Sequence, residues 1–545
     1  MSSLNPIDVN AALGRKNAAH LLRRTTFGPS RVDVDTFSNY NIDQALTILL
    51  ENQLPADPPL DVLTSQPWVN PKPTDANSDP SELMNMVLAW WFNLMRSSGN
   101  SIIDRMAWFY HTHFTTISSR INRGTAIYYQ IKLFRYYALG NFKELSKKIC
   151  YDNAMLVHLD GRLNDVGRPN ENFAREFFEL YTIGKGDQVG PDDYTTFTEQ
   201  DVIEASKVLS GYNVDWDYGN IDPDTGVAMG VLRGSGNIAS NHDALVKTFS
   251  SRLGNTTIQP NELIGDKATK EAALDELEQL VNMIFNQEAA ARYICRRLYR
   301  FFVYYDITEE IENDVIGPLA QTFIANDYEM RPVLEQLFTS THFFDTDNGT
   351  ETDDNRGGII KSPLEIILGT LRFFDIQLPD QNTDLNGFYE SCYDLIFGKM
   401  SNQGLDFYEP FEVAGYQAYH QTPVYNRNWI TPNNLARRYQ ISTDILLGHK
   451  DENDNMLYKL NILPYCQAQG IDLNSPQTIV TYFVDYLLPE DITQERFDYF
   501  KSTLLIDVDE ADWVSTIIDG EDFQVIFHLE NLVNALIQSP EYQLF

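Results

Sequence analysis

The stretch Asn170–Gly186, NENFAREFFELYTIGKG, concentrates the residue types that acid–base and metal chemistry use. Its polar members are Asn170, Glu171, Asn172, Arg175, Glu176 and Glu179. On a helix turning about 100° per residue, Glu171, Arg175, Glu179, Asn172 and Glu176 share an arc of about 140°. Phe173, Ala174, Phe177, Phe178, Leu180 and Tyr181 cover the rest. As catalytic residues, two Glu beside Arg175 can have their pKa values driven apart, leaving one acid and one base. Alternatively, Glu176 or Glu179 ligates a metal, and Arg175 steadies that ligand or contacts an anionic substrate. Periodicity is equally satisfied by an ordinary amphipathic helix whose polar face meets water. Short Asn and a central Arg among the Glu residues suit an inward-facing polar network better. Solvent face, buried network and functional site all remain open readings.

Four further residues have metal-ligand chemistry: His111, His113, His242 and Asp243. In a continuing helix, residues two apart point about 200° apart, so His111 and His113 cannot both reach one ion. His113 shares an apolar face with Ile102, Met106 and Phe109, which predicts a core histidine. His111 lies on a face with Asp104, which predicts a carboxylate-paired histidine. A joint site requires the helix to end here, and Thr115-Thr-Ile-Ser-Ser119 permits that. His242-Asp243 lies in a Gly- and Asn-rich loop, where polar groups are cheaply presented. Its plain alternative is a helix cap for Ala244 onward. If these residues converge on the Glu arc, the set suits a divalent metal such as Zn²⁺, Mn²⁺ or Fe²⁺.

Other chemistries leave no trace. DWDYG at 215–219 and DTDNG at 345–349 are not calcium loops, because Gly comes one position early and no Glu stands twelfth. There is no GxSxG, P-loop or HExxH, and no GxGxxG follows a strand. The formal charge of −36 disfavours nucleic acid, which rewards basic surface. The nearest basic groups, Arg23–Arg24 and Arg292, Arg296, Arg297 and Arg300, fall in helix-like segments. No apolar run nears the roughly 20 residues of a membrane helix. The N-terminus has Asn, Asp, Arg and Lys where a signal peptide is apolar. A cytoplasmic chain, or one whose export signal has been removed, is expected. Cys150, Cys295, Cys392 and Cys466 form no CxxC and no zinc or disulfide framework, and Cys150 and Cys295, in apolar helical surroundings, read as buried free thiols.

The elements that must position these residues are helices. Ile102–His113, Leu274–Ile284, Pro363–Phe374 and Asn531–Ile537 all carry apolar stripes at helical spacing. Helix starts are expected at Ser81, Thr198, Thr308 and Thr493, and at Ser362-Pro363. Loops are expected over 55–80, 213–257 (with a possible hairpin) and the aromatic segment 404–432. The fold class is therefore mainly α, a multi-helix globular protein with long loops and at most a small β-hairpin. The division expected is an N-terminal helical core over 1–345, an acidic linker over 346–358 and a helical region over 359–545. A faint echo links FFVYYDITE at 301–309 to YFVDY at 482–486 and DITQE at 491–495. It makes the C-terminal region a possible weak repeat of 290–345.

Several blocks in order resemble the bacterial "domain of unknown function 1800" family. They are AHLLRRTTFG at 19–28, DRMAWFYHTHF at 104–114, NAML at 153–156 and PNENFAREFFELYTIG at 169–184. Tyr194 through Gly211, His242-Asp243, KSPLE at 361–365, VAGY at 413–416 and SPEY at 539–542 complete the set. Tyr110 and Tyr416 stand where the family pattern usually has Trp. The resemblance implies a mainly helical protein, often exported, and often encoded beside a family similar to alkaline phosphatases and sulfatases. It implies no activity. Three functions follow as expectations. The first is a non-catalytic partner or scaffold acting with that phosphatase/sulfatase-like neighbour. The second is a metal-assisted hydrolase joining His111, Glu171, Arg175, Glu176, Glu179 and His242. The third is a carbohydrate-binding protein, with Tyr and Trp of 404–432 stacking on a sugar.

Overall fold

The computed structural model describes residues 3–52, 56–69, 78–346 and 358–545. Among these, helices dominate, from Gly14–Thr25 near the N-terminus to Asp522–Ile537 near the C-terminus. No described helix is long and apolar enough to cross a membrane. Most helix starts follow from local chemistry. Thr198, Ser362, Thr308 and Thr493 each accept a hydrogen bond from a backbone N–H two or three residues on. The Pro80–Ser97 helix departs from expectation: Asp79, not Ser81, is its cap, with Pro80 first and Glu82 closing the box. All four cysteines are buried and free.

The β content exceeds the single hairpin expected. Among the described residues, five two-stranded antiparallel ladders are present, each two or three residues per strand. Tyr212–Asn213 pairs with Val231–Leu232, and Lys247–Thr248 pairs with Thr257–Ile258, both inside the Gly/Asp-rich segment. The tight ones close through left-handed residues such as Asp192, Gly265 and Asp454. Asp and Gly tolerate that region best, so the composition that reads as loop also closes hairpins. The acidic stretch 346–358 lies, apart from its end residues, outside the described residues.

One connected apolar core runs from Leu13 to Tyr542. The Pro363–Phe373 helix ties the C-terminal part to the N-terminal part. A Cβ on Gly28 would sit 2.7 Å from the Cα of Gly369, and Gly28 has φ +105. Only glycine permits that approach. Arg372 then donates to the carbonyls of Gly28 (2.7 Å) and Gly99 (2.6 Å).

At the same seam, Glu365 caps its own helix with Ser362 and pairs with the buried Arg105. Arg24, Lys361 and Arg438 are buried close by, and the charge of Glu365 favours each cation. Arg438 Nε donates to the side-chain Oε1 of Gln543 at 2.9 Å, and backbone oxygens take further donors of all three. Arg24 donates to Val303 and Phe545, Lys361 to Tyr542 and Arg438 to Lys361, each at 2.7–2.8 Å. Burial, and next Arg105, pull Arg24 down to about 9. Burial likewise takes Lys361 well below its ordinary value.

Thr308 and Thr493 each cap the helix that follows them. Ser340 and Ser539 each accept from the backbone N–H three residues on, of Phe343 and Tyr542.

Replacing Glu365 with Gln leaves Arg105 as an uncompensated buried charge. The Glu365→Gln variant should lose about 3–5 kcal/mol of stability in urea unfolding. A loss under about 1 kcal/mol would show that the carbonyls alone hold these cations.

Candidate functional site

The 170–183 segment is not one uniform helix. Asn172–Glu176 is α-helical, and Phe177–Thr182 is a π turn. Thr182 Oγ1 donates to the carbonyl of Phe177, and the N–H groups of Ile183 and Gly184 both reach Phe178. The carbonyls that follow are satisfied from other helices. His113 Nε2 donates to the carbonyl of Tyr181 at 2.9 Å, and the Tyr293 hydroxyl donates to Leu180 at 2.9 Å. Gly184 ends the turn at φ +76, where a Cβ would strike the Tyr293 ring at 2.6 Å. The two most recognisable blocks of the sequence are thus one structural device. A π turn also rotates less per residue than an α-helix, so Glu179 is displaced from its place on a uniform wheel.

The polar arc lies half-exposed on the surface of this helix. Arg175 pairs with Glu199 at 2.6 Å and with Glu171 at 3.6 Å. Glu179 pairs with Lys185 at 3.1 Å, and Lys185 lies over the Tyr194 ring at 4.9 Å. Such exposed pairs contribute little to stability, about 0–1 kcal/mol each. Glu176 alone has no ion-pair or hydrogen-bond partner among the described residues. Burial, and next the Glu179 charge, raise its pKa.

The histidines go to separate places. His113 is a core histidine, enclosed by Phe109, Phe114, Phe142, Tyr181 and Tyr293. The expected pairing of His111 with Asp104 is corrected. Asp104 instead holds Arg135 (3.0 Å) and the Trp91 indole N–H (3.3 Å), because a long cation from a neighbouring helix outcompetes a ring on its own helix. His242 is fully buried, with Nε2 2.5 Å from Glu276 and Nδ1 2.9 Å from the Ser210 carbonyl. Lys247 Nζ joins the same Glu276 carboxylate at 2.6 Å. His242 thus sits between a backbone carbonyl and a carboxylate. The backbone N–H of Asp243 donates to Ser210 Oγ, and its carboxylate accepts from Leu245 N, a loop-closing role. No described group of three or more His, Cys, Asp or Glu is arranged to hold a metal ion. The convergence of His111, His242 and the Glu arc is therefore absent from the described residues. The helix ends at His113, as a joint site needs, but the side chains diverge into different packing layers.

What surrounds His111 is a buried polar network that periodicity does not show. Its ring stacks on Tyr408 at 3.9 Å, and Nε2 lies 3.5 Å from the Tyr416 hydroxyl. The Tyr408 hydroxyl and Thr116 Oγ1 both donate to Gln130 Oε1, at 2.6 and 2.7 Å. Gln130 Nε2 passes the chain to Asp152 Oδ2 at 2.7 Å. Asp152 also caps the Asn153–His158 helix through Met155 N. Three members keep unpaired polar atoms among the described residues: Asp152 Oδ1, His111 Nδ1 and both ring nitrogens of His158. Burial raises Asp152 to about 7. Burial, and next the neighbouring His158, lower His111 to about 3.

The network touches the surface through Tyr416. Its hydroxyl donates to the Asp406 carbonyl at 2.9 Å. Asp406 and Tyr416 line a cleft of about 500 Å³ with Glu409, Phe411, Gln417, Asn428, Trp429 and Asn434. Glu409 is held by Ser118 Oγ at 2.6 Å and by Ser119 N at 2.9 Å. Gly404, at φ +91, lets the loop pass against the Asn434 amide, which a Cβ would meet at 2.7 Å. Of the network and cleft, the sequence marks His111 and the aromatic segment 404–432. Gln130, Asp152, His158 and Tyr408 carry no spacing signal. Only the Asp152-Asn153 pair, a helix-start signature, could have marked one of them.

Fold and site together define a mainly α-helical protein with an acidic, aromatic cleft backed by a buried His–Tyr–Gln–Asp network. The chain belongs to the family described as "Protein of unknown function (DUF1800)", whose model matches residues 20–544. No curated protein and no solved structure matches the chain.

The network predicts a pH dependence. The folded pKa of Asp152, about 7, lies above its ordinary 3.8. Its stabilising contribution is therefore full below that ordinary value and is lost as pH rises through 7. Between pH 4 and pH 8 the wild type should lose up to about 4 kcal/mol relative to the Asp152→Asn variant. Urea midpoints across that range measure it, and a constant difference would show that Asp152 titrates like an exposed carboxylate.

Proposed function

We propose that the protein binds a carbohydrate in the cleft lined by Asp406, Tyr416 and Trp429. The observation that supports this is the lining itself. A cleft of about 500 Å³ is of ligand size. The carboxylates of Asp406 and Glu409 can accept from sugar hydroxyls, and the amides of Gln417, Asn428 and Asn434 can both accept and donate. Phe411, 88% exposed, is a free ring face at the rim. A large aromatic left in water is unusual, and a sugar's apolar face would cover it. The cleft contains no Lys or Arg of its own.

The partner reading, drawn from the family resemblance, has one observation in its favour. Ile518, Phe523 and Phe527 are 74%, 80% and 47% exposed around the turn before the Asp522–Ile537 helix and along its start. Exposed apolar clusters of this kind mark protein interfaces. If the phosphatase/sulfatase-like neighbour docks there, it should co-purify with the wild type and not with a Phe523→Ser variant. The metal-assisted hydrolase reading lacks comparable support, since no group of metal ligands is found among the described residues.

Binding of oligosaccharides to the intact protein, measured by calorimetry, tests the main reading. At least one of a panel of neutral and acidic oligosaccharides should bind. The Phe411→Ala variant should bind it about tenfold more weakly, the scale of one lost aromatic contact. Binding by none of them, or binding indifferent to Phe411, would sink the proposal.

A further inference from the structure

The Glu288–Phe302 helix carries four arginines, and they divide into two pairs. Arg292 and Arg296 are neutralised: Arg292 by Glu288 (2.7 Å) and Glu312 (3.1 Å), Arg296 by Glu312 (2.7 Å). Arg297 and Arg300 meet no carboxylate among the described residues. Arg297 donates only to the Thr112 carbonyl, at 3.1 Å. Arg300 donates to the Tyr305 carbonyl at 3.2 Å and lies over the Tyr425 ring at 5.2 Å. The chain has 77 acidic residues against 41 Lys and Arg. With acids in such excess, two adjacent arginines without one are unexpected.

Both arginines line one cavity of about 30 Å³, with Tyr305, Tyr425, Asn426 and Trp429. Glu365 also lines it, but that carboxylate is committed to Arg105. Residues three apart on a helix are neighbours, so the two guanidinium groups repel each other until an anion enters. Burial lowers the pKa of Arg300, and Arg297 adds to the effect while Tyr425 opposes it. Ala418 and Trp429 line both this cavity and the larger cleft. The two spaces therefore adjoin at these two residues.

We infer that Arg297 and Arg300 form a subsite for the carboxylate of an acidic sugar whose ring occupies the neighbouring cleft. This rests on the carbohydrate reading and narrows it to uronic acids. The cavity, about 30 Å³ against about 500 Å³ for the cleft, has room for a substituent and not for a ring. The chemistry selects a carboxylate, because the planar arginine fork matches its two oxygens. Charge sets the orientation. The acid end faces Arg297 and Arg300, and the hydroxyl face meets Asp406 and Glu409.

The test is calorimetry on the full chain with an oligomer of galacturonic acid, its methyl ester and a sulfated oligosaccharide of equal length. The acid should bind at least about tenfold tighter than the ester, a charge-assisted hydrogen bond's worth, and should weaken with added salt. Arg297→Gln and Arg300→Gln should each bring the acid's affinity down to about that of the ester, and urea midpoints close to the wild type's would show that the variants fold. Arg292→Gln, on the same helix but already paired, should leave the preference intact. Equal affinity for acid and ester would overturn the subsite and leave the carbohydrate reading standing. Tighter binding of the sulfated sugar would overturn the assignment to carboxylate. Binding of none of the three would remove the carbohydrate reading and the subsite together.

Discussion

A single buried carboxylate, Glu365, governs how the chain closes on itself. It faces Arg105 from the N-terminal half and shares its field with Arg24, Lys361 and Arg438. Buried charge is costly unless each ion finds a counter-charge or a set of dipoles. Here backbone oxygens at 302–303, 361, 542 and 545 supply the dipoles, and Glu365 supplies the charge. Those oxygens come from segments far apart in sequence. The arrangement exists only when all of them are in place, which makes the seam cooperative. In a chain carrying −36, burying cations also keeps them from pairing with surface acids elsewhere.

The same logic of unmet backbone groups explains the most recognisable part of the sequence. A π turn at Phe177–Thr182 requires donors from other helices, and His113 and Tyr293 provide them. The histidine of the HTHF block is thereby a structural partner of the NENFAREFFELYTIG block. Its neighbour His111 turns the opposite way, into a polar network that ends at Tyr416 and the cleft. One helix end thus serves both layers: one histidine holds the scaffold, and the other backs the candidate binding surface. Their divergence is what geometry requires of residues two apart on a helix.

The polar arc shows how far helical-wheel reasoning reaches. It placed Arg175 and Glu171 correctly on one face, since they pair at i, i+4. It had no means of finding Glu199, which comes from the next helix and takes the closer position on Arg175. Nor could it show that Glu179 sits in a π turn. Of the arc's charged members, Glu171, Arg175 and Glu179 are ion-paired among the described residues and Glu176 is not, and all four are half-exposed.

The sequence by itself determined what depends on neighbours a few residues away. Helix content, the caps at Thr198, Thr308, Ser362 and Thr493, the buried thiols and the core position of His113 all follow from local spacing. So did the family, because its blocks are contiguous strings. Only the tertiary structure decided which polar groups meet: His242 with Glu276 and Lys247, Asp104 with Arg135, Gln130 with Asp152, Arg105 with Glu365. The reason is physical. A hydrogen bond or ion pair is formed at about 3 Å, and the residues that reach that distance here lie 22 to 260 positions apart. Periodicity says which side of a helix a residue is on, and packing alone says what stands opposite.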